Sequence, residues 1–232
     1  MRKAILFDLD GTLLPMDMET FTKGYLSLLA KKMAPFGYDK EQLIQALWQG
    51  VAAMVKNDGT INNEERFWQT FSQLLGEQVY EHIPLFNSFY EQEFQAAIQS
   101  TDPNPALAQA AVKAAREKAE LVVLATNPLF PLCGIRTRLS WVGLTPEDFD
   151  YVSTYENSSY CKPNPAYFQE ILGRIGVEAK DALMIGNDMD EDILPTQNIG
   201  LPSFLAEDCL INKKQRILPV PHGPLASLIQ QF

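Results

Sequence analysis

The stretch Ala4-Ile5-Leu6-Phe7-Asp8-Leu9-Asp10-Gly11-Thr12-Leu13-Leu14 places two carboxylates one residue apart at the end of a short apolar run. Such a run, closed by the turn signal at Gly11, is the pattern of a strand buried on both faces. Buried parallel strands present their carboxyl ends to ligands, so Asp8 and Asp10 fall where an open α/β sheet binds. Side chains two apart on a strand share a side, and the turn at Gly11 can bring Thr12 beside them. Two acids held this close do not both ionise cheaply. Either a divalent cation relieves the repulsion or one carboxyl keeps its proton. Alone, D-x-D-G is also an ordinary acidic turn at a strand end.

The chain has 232 residues, enough for one large domain or a core plus a smaller insert. Its net charge of -10 with 46% hydrophobic residues suits a globular chain that repels phosphate backbones, which excludes a nucleic acid polymer as partner. Arg2 and Lys3 precede an apolar run that stops at Asp8, short of the roughly 7 to 15 residues of a signal segment. No stretch approaches the roughly 20 apolar residues of a membrane span. Cys133, Cys161 and Cys209 are far apart, with no C-x-x-C. Neither a disulfide framework nor a zinc site is indicated, and a reducing cytoplasm is the expected location.

After Leu14 the periodicity becomes helical: Met18, Phe21, Tyr25, Leu28, Leu29 and Met33, then Leu43 to Val55, Phe67 to Leu75, and Phe86 to Ile98. Breaks fall at Pro35-Phe36-Gly37, Asn57-Asp58-Gly59 and Ile83-Pro84, and Asn62 or Asn63 caps the third helix. No strand pattern intervenes, so residues 15–95 read as an all-helical insert. Its aromatic residues, at helical spacing, read as core. From residue 96 strand and helix alternate. Leu121 to Ala125 is a strand ending at Thr126-Asn127-Pro128, Tyr151 to Ser153 a short one, and Ala182 to Ile185 another, with helices at 106–119, 132–142 and 166–175. Alternation of this kind means right-handed crossovers and a parallel sheet. Pro202 to Leu205 is a candidate fifth strand, Lys213 to Arg216 a solvated basic turn, and Leu225 to Phe232 a closing helix. His222 and His82 read as surface residues rather than catalytic bases.

Successive strand ends now carry what phosphoryl transfer needs. Asp8 can attack phosphorus as a nucleophile, and Asp10 can pass a proton to the leaving oxygen and take one from water. Thr126 and Asn127 offer a hydroxyl and an amide to phosphoryl oxygens, as do the backbone N–H groups from Leu9 through Gly11 to Thr12. Lys162 supplies positive charge. Asp188 and Asp192 lie one helical turn apart. Mg²⁺ takes oxygen ligands, so Asp8, Asp188 and the backbone carbonyl of Asp10 can share one ion, with Asp192 holding a metal-bound water or orienting Lys162.

With these motifs in order the sequence resembles the haloacid dehalogenase superfamily, in its phosphoglycolate phosphatase-like branch with a helical cap between the first and second motifs. Asp8-Leu9-Asp10-Gly11-Thr12-Leu13 matches the first motif, Thr126-Asn127 the second, Lys162-Pro163 the third, and Asp188 with Asp192 the fourth. The resemblance implies a Rossmann-like α/β core (1–14 and 96–232) with helices on both faces of the sheet, a helical cap (15–95) and Mg²⁺ dependence. It also implies hydrolysis of a small phosphorylated metabolite through an aspartyl-phosphate, away from membranes, by a monomer or small homo-oligomer. A phosphomutase or a non-catalytic binding protein on the same fold are the alternatives. Asn187 stands where the family has glycine, and Asn tolerates the left-handed backbone such a turn needs. Pro128 and the neighbouring acids Asp190 and Glu191 are further departures. The loop Phe36-Gly37-Tyr38 is a candidate contributor to substrate choice.

Overall fold

The computed structural model describes residues 2–218 and 220–231. Strands β1 (Arg2–Phe7), β2 (Ala119–Leu124), β3 (Tyr151–Val152), β4 (Ala182–Gly186), β5 (Ser203–Ala206) and β6 (His222–Gly223) form one sheet in the order β3-β2-β1-β4-β5-β6. Every pairing is parallel. The first strand is central, and its alternation divides the core. Ile5 and Phe7 join one buried cluster with Ala108, Ala111 and Val112 of α5 (Pro105–Lys118). Ala4 and Leu6 join another with Phe168, Ile171 and Leu172 of α7 (Pro165–Ile175). Helices thus cover both faces, as the continuous apolar run of β1 requires.

The helical segment is α1 (Met18–Met33), α2 (Lys40–Val55), α3 (Asn63–Leu75) and α4 (Ile83–Glu91), followed by a 3₁₀ run over Glu93–Ser100. Asp17, Asp39 and Asn62 cap the first three by accepting first-turn N–H groups, satisfying donors a helix start leaves free. The periodicity at 86–98 suggested one helix, but the chain breaks at Gln92. The Tyr90 carbonyl, which a continuing helix would pair with Phe94, accepts the Thr137 hydroxyl at 2.8 Å. Phe94 then turns in among Phe21, Tyr25, Phe130 and Trp141, with ring centroids 5.4 to 6.3 Å away. The helical segment therefore runs on to Ser100, and the Asp102 N–H donates to the Pro15 carbonyl at 2.9 Å where the two connections pass. Its buried side chains are continuous with those of the sheet.

The basic turn at 213–216 is not simply solvated: Lys214 and Arg216 reach Asp190 at 3.4 and 3.2 Å. His222, read as a surface residue, is exposed on the edge strand β6 and pairs its Nδ1 with Glu207 at 2.8 Å. The closing helix α9 (Leu225–Gln231) starts where expected, while its expected end, Phe232, lies outside the described residues. The three cysteines are free, and no helix among the described residues is long and apolar enough to cross a membrane.

Asn63, fully buried, accepts from Asn57 Nδ2 at 2.9 Å and donates to the Tyr160 carbonyl at 3.3 Å, tying α3 to the loop before Lys162. Removing it strands buried polar partners. Asn63→Ala is expected to lower stability by about 1 to 3 kcal/mol, measured as a lowered urea midpoint with an unchanged slope.

Candidate active site

The central strands end level: Phe7 is in register with Leu124 on one side and Ile185 on the other. The Asp8 N–H donates to the Ile185 carbonyl at 2.9 Å, and the Ala125 N–H to the Phe7 carbonyl at 2.7 Å. These bonds bring the turns after β1, β2 and β4, which carry Asp8, Thr126 and Asp188, to one edge of the sheet.

Lys162 connects them. Its ammonium, 1% exposed, donates to Asp8 Oδ1 at 2.7 Å and to Asp192 Oδ1 at 2.6 Å. The other Asp192 oxygen accepts the Asp188 N–H at 3.0 Å, so both are engaged. Burial alone would lower the Lys162 pKa, but Asp192 and Asp8 hold it well above its ordinary value and the side chain stays charged. Burial drives the Asp8 carboxyl upward. Lys162 opposes this, while Asp192 and Asp10 add repulsion. Gly186 leaves the room this needs: a Cβ there would lie 2.2 Å from Asp192 Oδ2.

Asp188 turns one oxygen to the Asp190 and Glu191 N–H groups, at 2.7 and 3.0 Å, and caps a π-helical turn over Met189–Ile193. Burial raises its pKa as well. Glu191 accepts from Asn127 Nδ2 at 3.0 Å, and burial pushes it up to about 7. Asp190 instead faces the basic turn, so the three neighbouring acids have separate partners. Thr126 is 1% exposed, and its carbonyl accepts from Ser153 at 2.7 Å and Tyr167 at 2.8 Å.

In the turn after β1, Gly11 has φ +88°, a conformation only glycine adopts freely. The Gly11 and Thr12 N–H groups donate to the Leu14 and Leu9 carbonyls, at 2.8 and 3.1 Å. Of the turn's amides, those of Leu9 and Asp10 are not committed to these bonds. Thr12 Oγ1 lies 3.5 Å from Asp8 Oδ2 and 3.2 Å from Asn187 Oδ1. Asn187 is not left-handed, contrary to expectation. Its amide closes over Gly11, where a Cβ would meet Nδ2 at 2.2 Å, and donates to the Cys209 carbonyl at 2.7 Å. Its side chain therefore bridges two turns, which glycine cannot do.

Asp10 pairs with Arg138 of α6 (Leu132–Trp141), a residue sequence reasoning overlooked. Arg138 is fully buried, with its guanidinium carbon 4.1 Å from the centre of the Phe130 ring. Asp10 Oδ1 and Arg138 Nη2 are buried without hydrogen-bond partners. One signal was available: Arg138 falls on the Ile135-Arg138-Trp141 stripe, where a helix packs inward.

No group of three or more His, Cys, Asp or Glu side chains among the described residues is drawn together to hold a metal. The all-oxygen donors at the strand ends, the buried Asp8 and half-buried Asp188 carboxylates, both of raised pKa, and a turn carbonyl, suit a hard cation such as Mg²⁺. That ion is commonly held by one or two carboxylates with water.

Removing Lys162 would leave Asp8 and Asp192 buried without their cation. Lys162→Ala is therefore expected to lower stability by about 3 to 5 kcal/mol, seen as a lowered thermal or urea midpoint without added metal.

The chain is similar to the glyceraldehyde 3-phosphate phosphatase of Methanothermobacter thermautotrophicus, 39% identical over 57 residues, which span only 25% of this chain and 25% of that protein. It is 23% identical over 197 residues to the pyrophosphatase PpaX of Bacillus velezensis, covering 85% of this chain and 79% of that one. Its fold is that of the HAD-hydrolase YfnB from Bacillus subtilis, solved bound to magnesium: TM-score 0.57, 21% identity, 99% of this chain and 98% of that one. The sequence profile of the haloacid dehalogenase-like hydrolases matches residues 2–200, from β1 to the connection just before β5, and the chain belongs to that family.

Proposed function

We propose that the protein is a phosphatase that hydrolyses a small-molecule phosphate monoester, with Asp8 as nucleophile. The observation that carries this reading is the buried Lys162 ammonium held between Asp8 and Asp192 at the strand ends. A cation there lowers the cost of bringing a phosphate dianion against a carboxylate. The phosphatase and pyrophosphatase names of the two curated relatives support it.

In this reading Asp8 attacks phosphorus as the ester P–O bond breaks, and Asp10 gives its proton to the departing alcohol. Water then attacks the aspartyl-phosphate. Asp10 takes up the proton, orthophosphate leaves, and Asp8 is regenerated. Thr126, Asn127, Lys162 and the turn amides of Leu9 and Asp10 hold the phosphoryl oxygens; the Gly11 and Thr12 amides, expected to do so, are instead used inside the turn by the Leu14 and Leu9 carbonyls. Asp8, Asp188 and the Asp10 carbonyl would hold Mg²⁺, which when bound neutralises phosphoryl charge. Asp192 keeps Lys162 in place. Arg138 fixes the Asp10 side chain. Residues 15–95 serve as a cap over a catalytic core of 1–14 and 96–232.

Acetyl phosphate and p-nitrophenyl phosphate test this directly. Phosphate release is expected to stop with EDTA and return with Mg²⁺; undiminished release in EDTA would overturn the metal assignment. Asp8→Asn is expected to lose about a thousandfold or more in kcat. Asp10→Asn is expected to lose about 10² to 10⁴-fold, with far-ultraviolet circular dichroism unchanged for both.

A further inference from the structure

A cavity of about 190 Å³ lies between the first four helices and the loop that follows Thr126-Asn127. Its walls include Tyr25 of α1, Trp48 and Val51 of α2, Trp68 of α3, Tyr90 of α4, and Phe130. No charged side chain lines it among the described residues. Phe36, Gly37 and Tyr38 do not line it either. They border a separate pocket with Leu75 and Gln78, and the Tyr38 hydroxyl lies 2.7 Å from His82 Nδ1. Most of the cap aromatics are core residues, as expected, whereas Phe36, Trp48 and Tyr80 are exposed; several of the core ones, and Trp48, form these walls.

Phe130 joins the cavity to the candidate active site. One of its faces carries the Arg138 guanidinium, which is paired with Asp10. It also follows the phosphate-binding candidates Thr126 and Asn127 by only a few residues. Burial pushes Tyr25 up to about 12 and Tyr90 well above its ordinary value, so both hydroxyls stay neutral.

We infer that this cavity receives the alcohol portion of the substrate, and that this portion is uncharged and apolar, of the size of one aromatic ring. The inference rests on the phosphatase reading above. An apolar cavity of about 150 Å³ is enough to take up benzene. A leaving group bearing a carboxylate or second phosphate would meet aromatic walls with no cation to pair it, at a large desolvation cost. A polyol would have Thr22, Asn87, the tyrosine hydroxyls and the unpartnered Trp68 Nε1 for a few of its hydroxyls, and rings or aliphatic side chains over the rest of the wall. A benzyl-type alcohol stacks on the same walls without either cost.

The test compares alkyl monoesters with Mg²⁺ and the full chain: benzyl phosphate, glycerol 1-phosphate and 2-phosphoglycolate, with acetyl phosphate as a reference that has no use for the cavity. In kcat/KM, benzyl phosphate is expected to exceed the other two monoesters by about a hundredfold, within the range that apolar pockets give for small groups. Thr22→Trp and Val51→Trp, at half-buried wall positions outside the catalytic set, fill the cavity. Either variant that keeps wild-type acetyl phosphate turnover is expected to lose tenfold or more on benzyl phosphate. Equal or better turnover of glycerol 1-phosphate or 2-phosphoglycolate overturns the inference, and so does a filled variant that still prefers benzyl phosphate. Failure to turn over acetyl phosphate as well as all three esters overturns the phosphatase reading itself.

Discussion

The Lys162 ammonium can sit buried only because two carboxylates reach it, one from the turn after β1 and one from the turn after β4. Neither carboxylate lies near Lys162 in sequence, so the arrangement exists only when β1 pairs with β4 and the 161–163 loop folds over their ends. One cation and two anions in a dry environment is a poor way to gain stability, since well-packed apolar groups of similar volume do as well or better. Clusters of this kind, with displaced pKa values, are concentrated at functional sites. The excess negative charge and raised carboxyl pKa values of this one are what a cation would relieve.

The two acids of the first turn, one residue apart, have opposite surroundings. Asp8 faces Lys162 and the sheet edge, whereas Asp10 faces Arg138, which is packed on Phe130. Gly11 makes this division possible by turning the chain through a conformation closed to other residues, and Asn187 locks the turn from the neighbouring strand end. Phe130 is then a shared element, with one face on the ion pair and its loop on the cavity wall. The fully buried Arg138 is thereby held between this ring and the Asp10 carboxylate.

The helices between β1 and β2 are not a separate globule laid on the sheet. Their buried side chains are continuous with the core around Ile5 and Phe7, and Asn63 ties α3 to the loop that bears Lys162. A movement of the helical segment relative to the sheet would therefore reach the loop that bears Lys162 through this hydrogen-bonded link.

The sequence by itself determined the parallel sheet, the helical insert, and the residues at the strand ends, because these follow from local signals: apolar runs, 3.6-residue periodicity, turn residues and a specific D-x-D-G-T motif. Asp192, which the sequence placed one helical turn from Asp188 to hold a metal-bound water or orient Lys162, accepts a hydrogen bond from the Lys162 ammonium. The break at Gln92, the role of Asn187, the outward turn of Asp190 and the pairing of Asp10 with Arg138 were decided by tertiary structure. Each depends on a partner far away in the chain: Thr137 for the Tyr90 carbonyl, Thr12 and Cys209 for Asn187, the 213–216 turn for Asp190, and α6 for Asp10. Periodicity reports which side of an element is buried. Which buried groups meet is set only when the elements pack, and the cavity beside Phe130 exists only there.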